Sequence, residues 1–280
     1  MTIGIIGLGL IGGSMALDLR TAGCAAKLIG SDQNPKHAAK ALDLKLIDQV
    51  MPIEALVKEA ELIILAIPVR SAQSLLLKVL DQIQEHQCIM DVGSTKEGIC
   101  KKADKHPNRP RYVATHPMAG TEHSGPEAAI AGLFTDKVCI ICDQNRSALT
   151  AIKKVKQIYA ALKMKLIYMD SASHDMHAAY VSHISHISAF VLSLAVLEKE
   201  KSEKTLLDMA SGGFDSSVRL AKSDPGMWSQ IFTQNKSHLL EVLDAYGAHL
   251  DKFRKYINDS DEKNLYKLIE KANKIRKALK

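Results

Sequence analysis

Residues 115–125, Thr-His-Pro-Met-Ala-Gly-Thr-Glu-His-Ser-Gly, set His116 before a proline and follow it with small and polar side chains. The stretch is too polar for a core and too short for a domain linker, and its composition suits holding one imidazole in a fixed place. An imidazole titrates near neutrality, so it can take a hydroxyl proton while hydride leaves the same carbon. Ser94, in Asp91-Val92-Gly93-Ser94-Thr95-Lys96, brings a hydroxyl that could fix the tautomer of His116 through its other ring nitrogen. Without a hydride acceptor nearby, His116 would be no more than a loop histidine.

The chain opens with the means to hold such an acceptor. Gly7, Gly9 and Gly12 stand in GxGxxG order directly after a strand-like run and at the start of a helical one. In that context the first glycine permits the turn and the second lets a pyrophosphate approach the backbone. The third lets helix and strand pack closely, and the free N–H groups of the helix face the phosphates. Gly7, Gly9, Leu10, Ile11 and Gly12 are therefore the expected cofactor loop. Asp32 follows Gly12 by 20 residues, at the end of a second strand-like run, where a carboxylate accepts from both ribose hydroxyls. It would repel a 2′-phosphate, and Gln33 and Asn34 follow it rather than arginine, so NAD is expected over NADP.

Further candidates lie later in the chain. His183 and His186 are three apart on one helical face, open to a metal, an anionic ligand or a satisfied place in the core. His174 and His177 precede them, but zinc needs further ligands of suitable geometry and no HExxH occurs, so no metal is expected. Arg219 carries a forked donor suited to a carboxylate, or is an ordinary helix residue. The five cysteines are scattered through apolar runs, as expected of reduced thiols in a cytoplasmic protein. Cys139 and Cys142 have CxxC spacing within a strand-like run, which would turn them to opposite faces.

These residues need a scaffold. Strand-like runs at 2–7, 27–31, 61–67, 88–92, 111–114, 137–142 and 165–169 alternate with helical periods at 12–22, 35–43, 70–85, 96–105 and 148–162. That alternation predicts an α/β Rossmann-type domain with a mostly parallel sheet over residues 1–169. Ligands then sit beyond the carboxyl ends of the strands, where Ser94 and His116 fall. From about 172 the strand signals stop, and residues 170–280 read as an all-α domain that gains burial by pairing with a second copy. The apolar run 178–197 contains histidines and serines, so a buried helix is expected rather than a membrane span. The net charge of +6 concentrates in residues 251–280, where Leu265, Leu268, Ile269, Ala272, Ile275 and Leu279 recur at helical spacing. The basic residues there are expected to form a wet helix face, with no nucleic-acid partner. The opening strand-like run, with no basic start or cleavage site, leads to the expectation of no signal peptide.

Five segments in order carry a resemblance: "GLGLIGGS", "DVGSTK", "HPMAGTEHSG", "SHISHISAF" and "SGGFDSSVRLAKSDPGMW". Together they resemble the prephenate/arogenate dehydrogenase family of tyrosine biosynthesis, over nearly the whole chain. The resemblance implies a Rossmann domain, a helical domain that forms a homodimer, and NAD(P)-dependent oxidative decarboxylation of prephenate or arogenate. It gives His116 the ring hydroxyl, and Ser94 the orientation of His116 and the nicotinamide side. Thr121 and Glu122 would line or gate the site, while His186 would meet the side-chain carboxylate, with His183 nearby. Arg219 would hold the ring carboxylate, and Gly212, Gly213 and Trp228 would shape the pocket. Glu97 and the pair Ser229-Gln230 depart from the family's usual pattern, and the length implies no fused mutase or regulatory domain. Prephenate is the expected substrate, arogenate the alternative. A β-hydroxyacid dehydrogenase would use a helical-domain lysine instead, and a dinucleotide sensor would have lost the His116, Ser94, His186 and Arg219 set.

Overall fold

The computed structural model describes residues 1–278, so Leu279 lies outside the described residues. The strands are β1 (Thr2–Ile6), β2 (Lys27–Ser31), β3 (Gln49–Val50), β4 (Leu62–Leu65), β5 (Cys88–Asp91), β6 (Tyr112–Pro117), β7 (Val138–Cys142) and β8 (Lys165–Met169). They form one sheet in the order β3-β2-β1-β4-β5-β6-β7-β8, parallel except where β6 meets β7. Helices α1 (Leu10–Thr21), α2 (Pro35–Asp43), α3 (Ile53–Glu59), α4 (Val69–Leu80), α5 (Glu97–Ala103) and α6 (Leu149–Ala161) connect the strands. Buried clusters lie on both sides of the sheet, which is why β4 reads as an unbroken Leu-Ile-Ile-Leu rather than an alternation. Cys139 belongs to one cluster and Cys142 to the other, on opposite faces as their spacing requires.

The order of strands reverses between β1 and β4, and this switch point is where a doubly wound sheet opens a crevice for ligands. The β1–α1 turn sits there. Gly7 has φ +96°, and a Cβ on it would lie 2.3 Å from the Ala66 carbonyl oxygen. On Gly12 a Cβ would lie 2.0 Å from the Gly7 carbonyl oxygen, so the helix could not approach the strand with any other residue.

After β8 the chain is helical: α7 (Ser171–Ala178), α8 (Ile184–Glu200), α9 (Gly212–Val218), α10 (Pro225–Gln234), α11 (Lys236–Asn258) and α12 (Glu262–Asn273). A π-helical turn, Ala179–His183, joins α7 to α8. Asp224 caps α10 by accepting from the Met227 N–H at 2.6 Å, with Pro225 in the first turn. Met1–Asn235 forms one compact unit, and a second begins at Lys236. Within the second, Asp261 caps α12 by accepting from the Asn264 N–H at 3.0 Å. Leu265 and Leu268 are half-buried there, while Ile269 and Ile275 are exposed.

Three expectations need correction. The strand carrying His116 extends through it to Pro117, because β7 pairs His116 with Ile140. The short elements β3 and α3 were not anticipated, being too brief for a period to show. The run 178–197 is not a buried helix: Val181, Val191, Leu194 and Leu197 are more than half exposed. By length and composition alone the continuous helix Ser171–Glu200 could cross a membrane, with only 17% of its most apolar window buried. Its apolarity serves one face packed on the unit and another left uncovered.

Candidate active site

His116 lies at the carboxyl end of β6, buried, and its Nδ1 is 2.8 Å from Nε2 of His174 on α7. Nδ1 of His174 is in turn 2.7 Å from Oδ1 of Asp175. Asp175 also accepts from two backbone N–H groups at the start of α5, those of Lys96 (2.7 Å) and Glu97 (2.9 Å). Burial works against the Asp175 carboxylate, but the His174 contact and the two N–H donors hold its pKa below the usual range. The proton positions follow from this order. A carboxylate only accepts, so His174 donates from Nδ1, which leaves its Nε2 to accept. His116 therefore carries its proton on Nδ1, and Nε2 is left as the bare nitrogen. Burial, then His174 and Lys96, push the His116 pKa well below that of free histidine, so the ring is neutral at physiological pH.

Beneath this relay is a buried polar floor. The Lys96 ammonium, fully buried, pairs with the Asp91 carboxylate, which also accepts from the Tyr112 hydroxyl at 2.6 Å and the Gly93 N–H at 2.9 Å. Taking a lone charge out of water is costly, so these partners are what allow Asp91 and Lys96 to sit there. Tying β5, β6 and α5 together fixes where the relay stands.

Ser94 does not set the tautomer of His116. His174 takes that place, a correction to the expectation from sequence. The reason is tertiary: the helix that carries His174 returns across the sheet edge, which local spacing cannot reveal. Only the "HDMH" pattern hinted at it, and there His174 and Asp175 are buried while His177 is exposed.

The second group of candidates gathers on the helices. The His186 ring stacks on Trp228, with centroids 3.5 Å apart and planes at 26°. His183 meets the same indole edge-on at 5.9 Å. His183 is buried beside Asn235, whose Nδ2 lies 3.1 Å from its Nδ1 and 2.7 Å from the Asp175 carbonyl oxygen. Burial brings the His183 pKa down to about 4. Burial also lowers His186, the Arg219 charge adds to this, and the Ser182 carbonyl partly opposes it. Trp228 packs with Val69 and Ile231, which joins this cluster to the start of α4. Gln234 Oε1 accepts from Thr95 Oγ1 and Gln73 Nε2, each at 3.0 Å, a second tie between the helices and the sheet edge.

Arg219 reaches Glu122 at 3.7 Å, so the loop after β6 and the helical segment meet through an ion pair. Thr121 is half-buried beside Glu122, and its Oγ1 accepts from the His123 N–H. A Cβ on Gly213 would meet nothing within 4 Å, so space is open there. Among the described residues, no group of three or more His, Cys, Asp and Glu side chains could hold a metal ion, and His183 and His186 gain no third ligand.

At the other end of the crevice, Asp32 Oδ2 accepts from the Leu8 N–H and Oδ1 from the Asn34 N–H, both at 2.8 Å. The carboxylate is thereby aimed across the glycine loop. The first turn of α1 has no side-chain cap and no acidic residue, and a Cβ on Gly9 would meet only the Gly125 nitrogen, at 4.0 Å. Free N–H groups, open space and an anchored acid fit a dinucleotide. His37, 3.9 Å from Asp32, is a neighbour that sequence spacing did not single out.

Two family models match the chain: the prephenate dehydrogenase nucleotide-binding domain over residues 15–168 and the prephenate dehydrogenase dimerization domain over 170–271. The chain belongs to the prephenate dehydrogenase family. It is 33% identical to a prephenate dehydrogenase of Bacillus subtilis, over 99% of this chain and 76% of that one. It is 32% identical to a cyclohexadienyl dehydrogenase of Zymomonas mobilis, over 99% and 96%. The crystal structure of Aquifex aeolicus prephenate dehydrogenase in complex with hydroxyphenyl propionate and NAD+ is similar, with a TM-score of 0.92. It shares 29% identity, covering 100% of this chain and 98% of that one.

Proposed function

We propose that the chain catalyses the NAD-dependent oxidative decarboxylation of prephenate to 4-hydroxyphenylpyruvate. The observation that carries this reading is the Asp175–His174–His116 order, which leaves a neutral ring nitrogen bare at the edge of a dinucleotide-type crevice. Bound NAD supplies the hydride acceptor. His116 Nε2 takes the proton of the ring hydroxyl, and the relay shares the charge that the ring then gains. Arg219 holds the ring carboxylate, which departs as carbon dioxide once oxidation makes aromatisation possible. His186 and His183 receive the side chain, and Thr121 and Glu122 line the entrance, with Gly213 and Trp228 shaping the pocket. Ser94 contacts the nicotinamide side, and Gly7, Gly9, Leu10, Ile11, Gly12 and Asp32 hold the dinucleotide. The Asp32 carboxylate supports NAD over NADP.

In this reading residues 1–169 bind the dinucleotide and 170–280 provide substrate contacts and dimerisation. A homodimer would cover the exposed Val181, Val191, Leu194 and Leu197 of the long helix. Five unpaired cysteines, four of them buried, support a reducing, cytoplasmic setting.

Incubation with NAD and prephenate should yield NADH, carbon dioxide and 4-hydroxyphenylpyruvate in equal amounts. Absence of turnover with both prephenate and arogenate, alongside tight NAD binding, would replace this reading with a dinucleotide sensor.

A further inference from the structure

The contacts of His186 bear on which side chain the site accepts. Its Nδ1 lies 3.2 Å from the carbonyl oxygen of Ser182, one turn back on the helix. A carbonyl can only accept, so Nδ1 carries a proton and Nε2 is the nitrogen left for a ligand. The ring cannot easily turn to exchange the two, because its face lies against Trp228. Neutral His186 therefore presents a lone pair, and only the doubly protonated ring presents a donor. Among the described residues, the charged and titratable groups that bear on it come from two segments. They are Arg219 from the segment after α9, with Glu122 paired to that arginine, and His183 from its own helical run; α10 contributes the uncharged indole.

We propose that the protonation state of His186 selects between the two side chains that a cyclohexadienyl substrate can carry. Resting on the dehydrogenase reading above, this makes His186 a specificity-determining residue. The keto acid offers only acceptors, a carbonyl and a carboxylate, so it is held best by imidazolium. The amino acid offers an ammonium, which neutral Nε2 accepts and imidazolium repels. Burial and the Arg219 charge favour the neutral ring, so the preference for the keto substrate should weaken as pH rises. A hydrogen bond to a charged group is worth enough to change such a preference by roughly tenfold to a hundredfold.

The test is kcat/KM for prephenate and for arogenate, with NAD, from about pH 5 to about pH 8, the range over which a histidine titrates. The ratio of prephenate to arogenate should fall by about tenfold or more as pH rises. It should then level off once His186 is neutral. His116 acts on both substrates alike, so its titration cancels in the ratio. A ratio that does not move with pH in the unaltered protein overturns the inference. Where it moves, His186→Gln, which cannot titrate, should flatten it; His186→Asn serves the same end if the glutamine variant does not fold. A slope that persists in the folded variant assigns the effect to another group and also overturns the inference. Turnover of neither substrate at any pH would instead remove the dehydrogenase reading itself.

Discussion

The two histidine sites of this chain are built on different principles. At the sheet edge, His116 is one member of a hydrogen-bonded chain that ends on the backbone of α5, and each contact dictates the proton position of the next. On the helices, His183 and His186 are placed by an indole, with one carbonyl or amide contact apiece. His183 Nε2, Trp228 Nε1 and Asn235 Oδ1 are buried there without a hydrogen-bond partner. A relay suits a group that must keep one tautomer throughout proton transfer. Stacking fixes a ring's plane and leaves its charge free to respond to what binds, so the first site is built for chemistry and the second for recognition.

The strongest way to break this contrast is His116→Asn. It should lower kcat by about 10²–10⁴, the usual worth of acid–base catalysis, while NAD affinity measured by fluorescence titration hardly changes. Similar losses from replacing His186 would abolish the distinction between the sites.

Acidification should expose the helical site next. The His183 pKa, about 4 in the fold against 6.5 for the free group, means that the unfolded chain binds the extra proton more readily. Its contribution is fully present above about pH 6.5 and is lost as pH falls toward about 4, to the extent of roughly 3 kcal/mol. Thermal melts between those limits should show falling Tm, with a shallower slope in His183→Phe.

Arg219→Ala should raise KM for prephenate by about tenfold to a hundredfold, as loss of a charged hydrogen bond does, with NAD binding unaffected. If cofactor affinity alone fell, the arginine would belong to the other half of the crevice.

His174→Gln tests the relay without touching the reacting nitrogen. Without its acceptor, His116 loses the contact that fixes its tautomer, and kcat should drop about 5- to 100-fold, the cost of one poorly paired buried group, while NAD affinity hardly changes. An unchanged kcat would mean that His174 merely fills space.

The smallest effect belongs to Trp228→Phe, which keeps a ring against His186 but gives up part of the stack. About 1 kcal/mol of stability should go, read as a small shift in Tm, with KM moving more than kcat. Equal changes in both would argue that Trp228 shapes the chemistry as well as the pocket.

Much of this contrast could be read from residue order. The glycines at 7, 9 and 12, the acid at 32 and the alternation of strand and helix follow from local geometry, since turns, caps and sheet faces depend on near neighbours. The segment around His116 was legible for the same reason: small residues after a proline leave few places for the ring to go. The partner of His116 was not. Ser94 is close in sequence terms and has the right chemistry, yet His174, 58 positions away, holds the nitrogen. The run 178–197 misled for a related reason: its composition records how apolar it is and not which face the unit covers.

From its sequence alone the chain is committed to a dinucleotide crevice, a histidine at the strand edge and a helical second half, because those depend on contacts within a few residues. Only the tertiary structure decides which nitrogen of His116 and of His183 is held. A tautomer is set by the atom opposite, and for His116 and His183 those atoms come from residues more than fifty positions away.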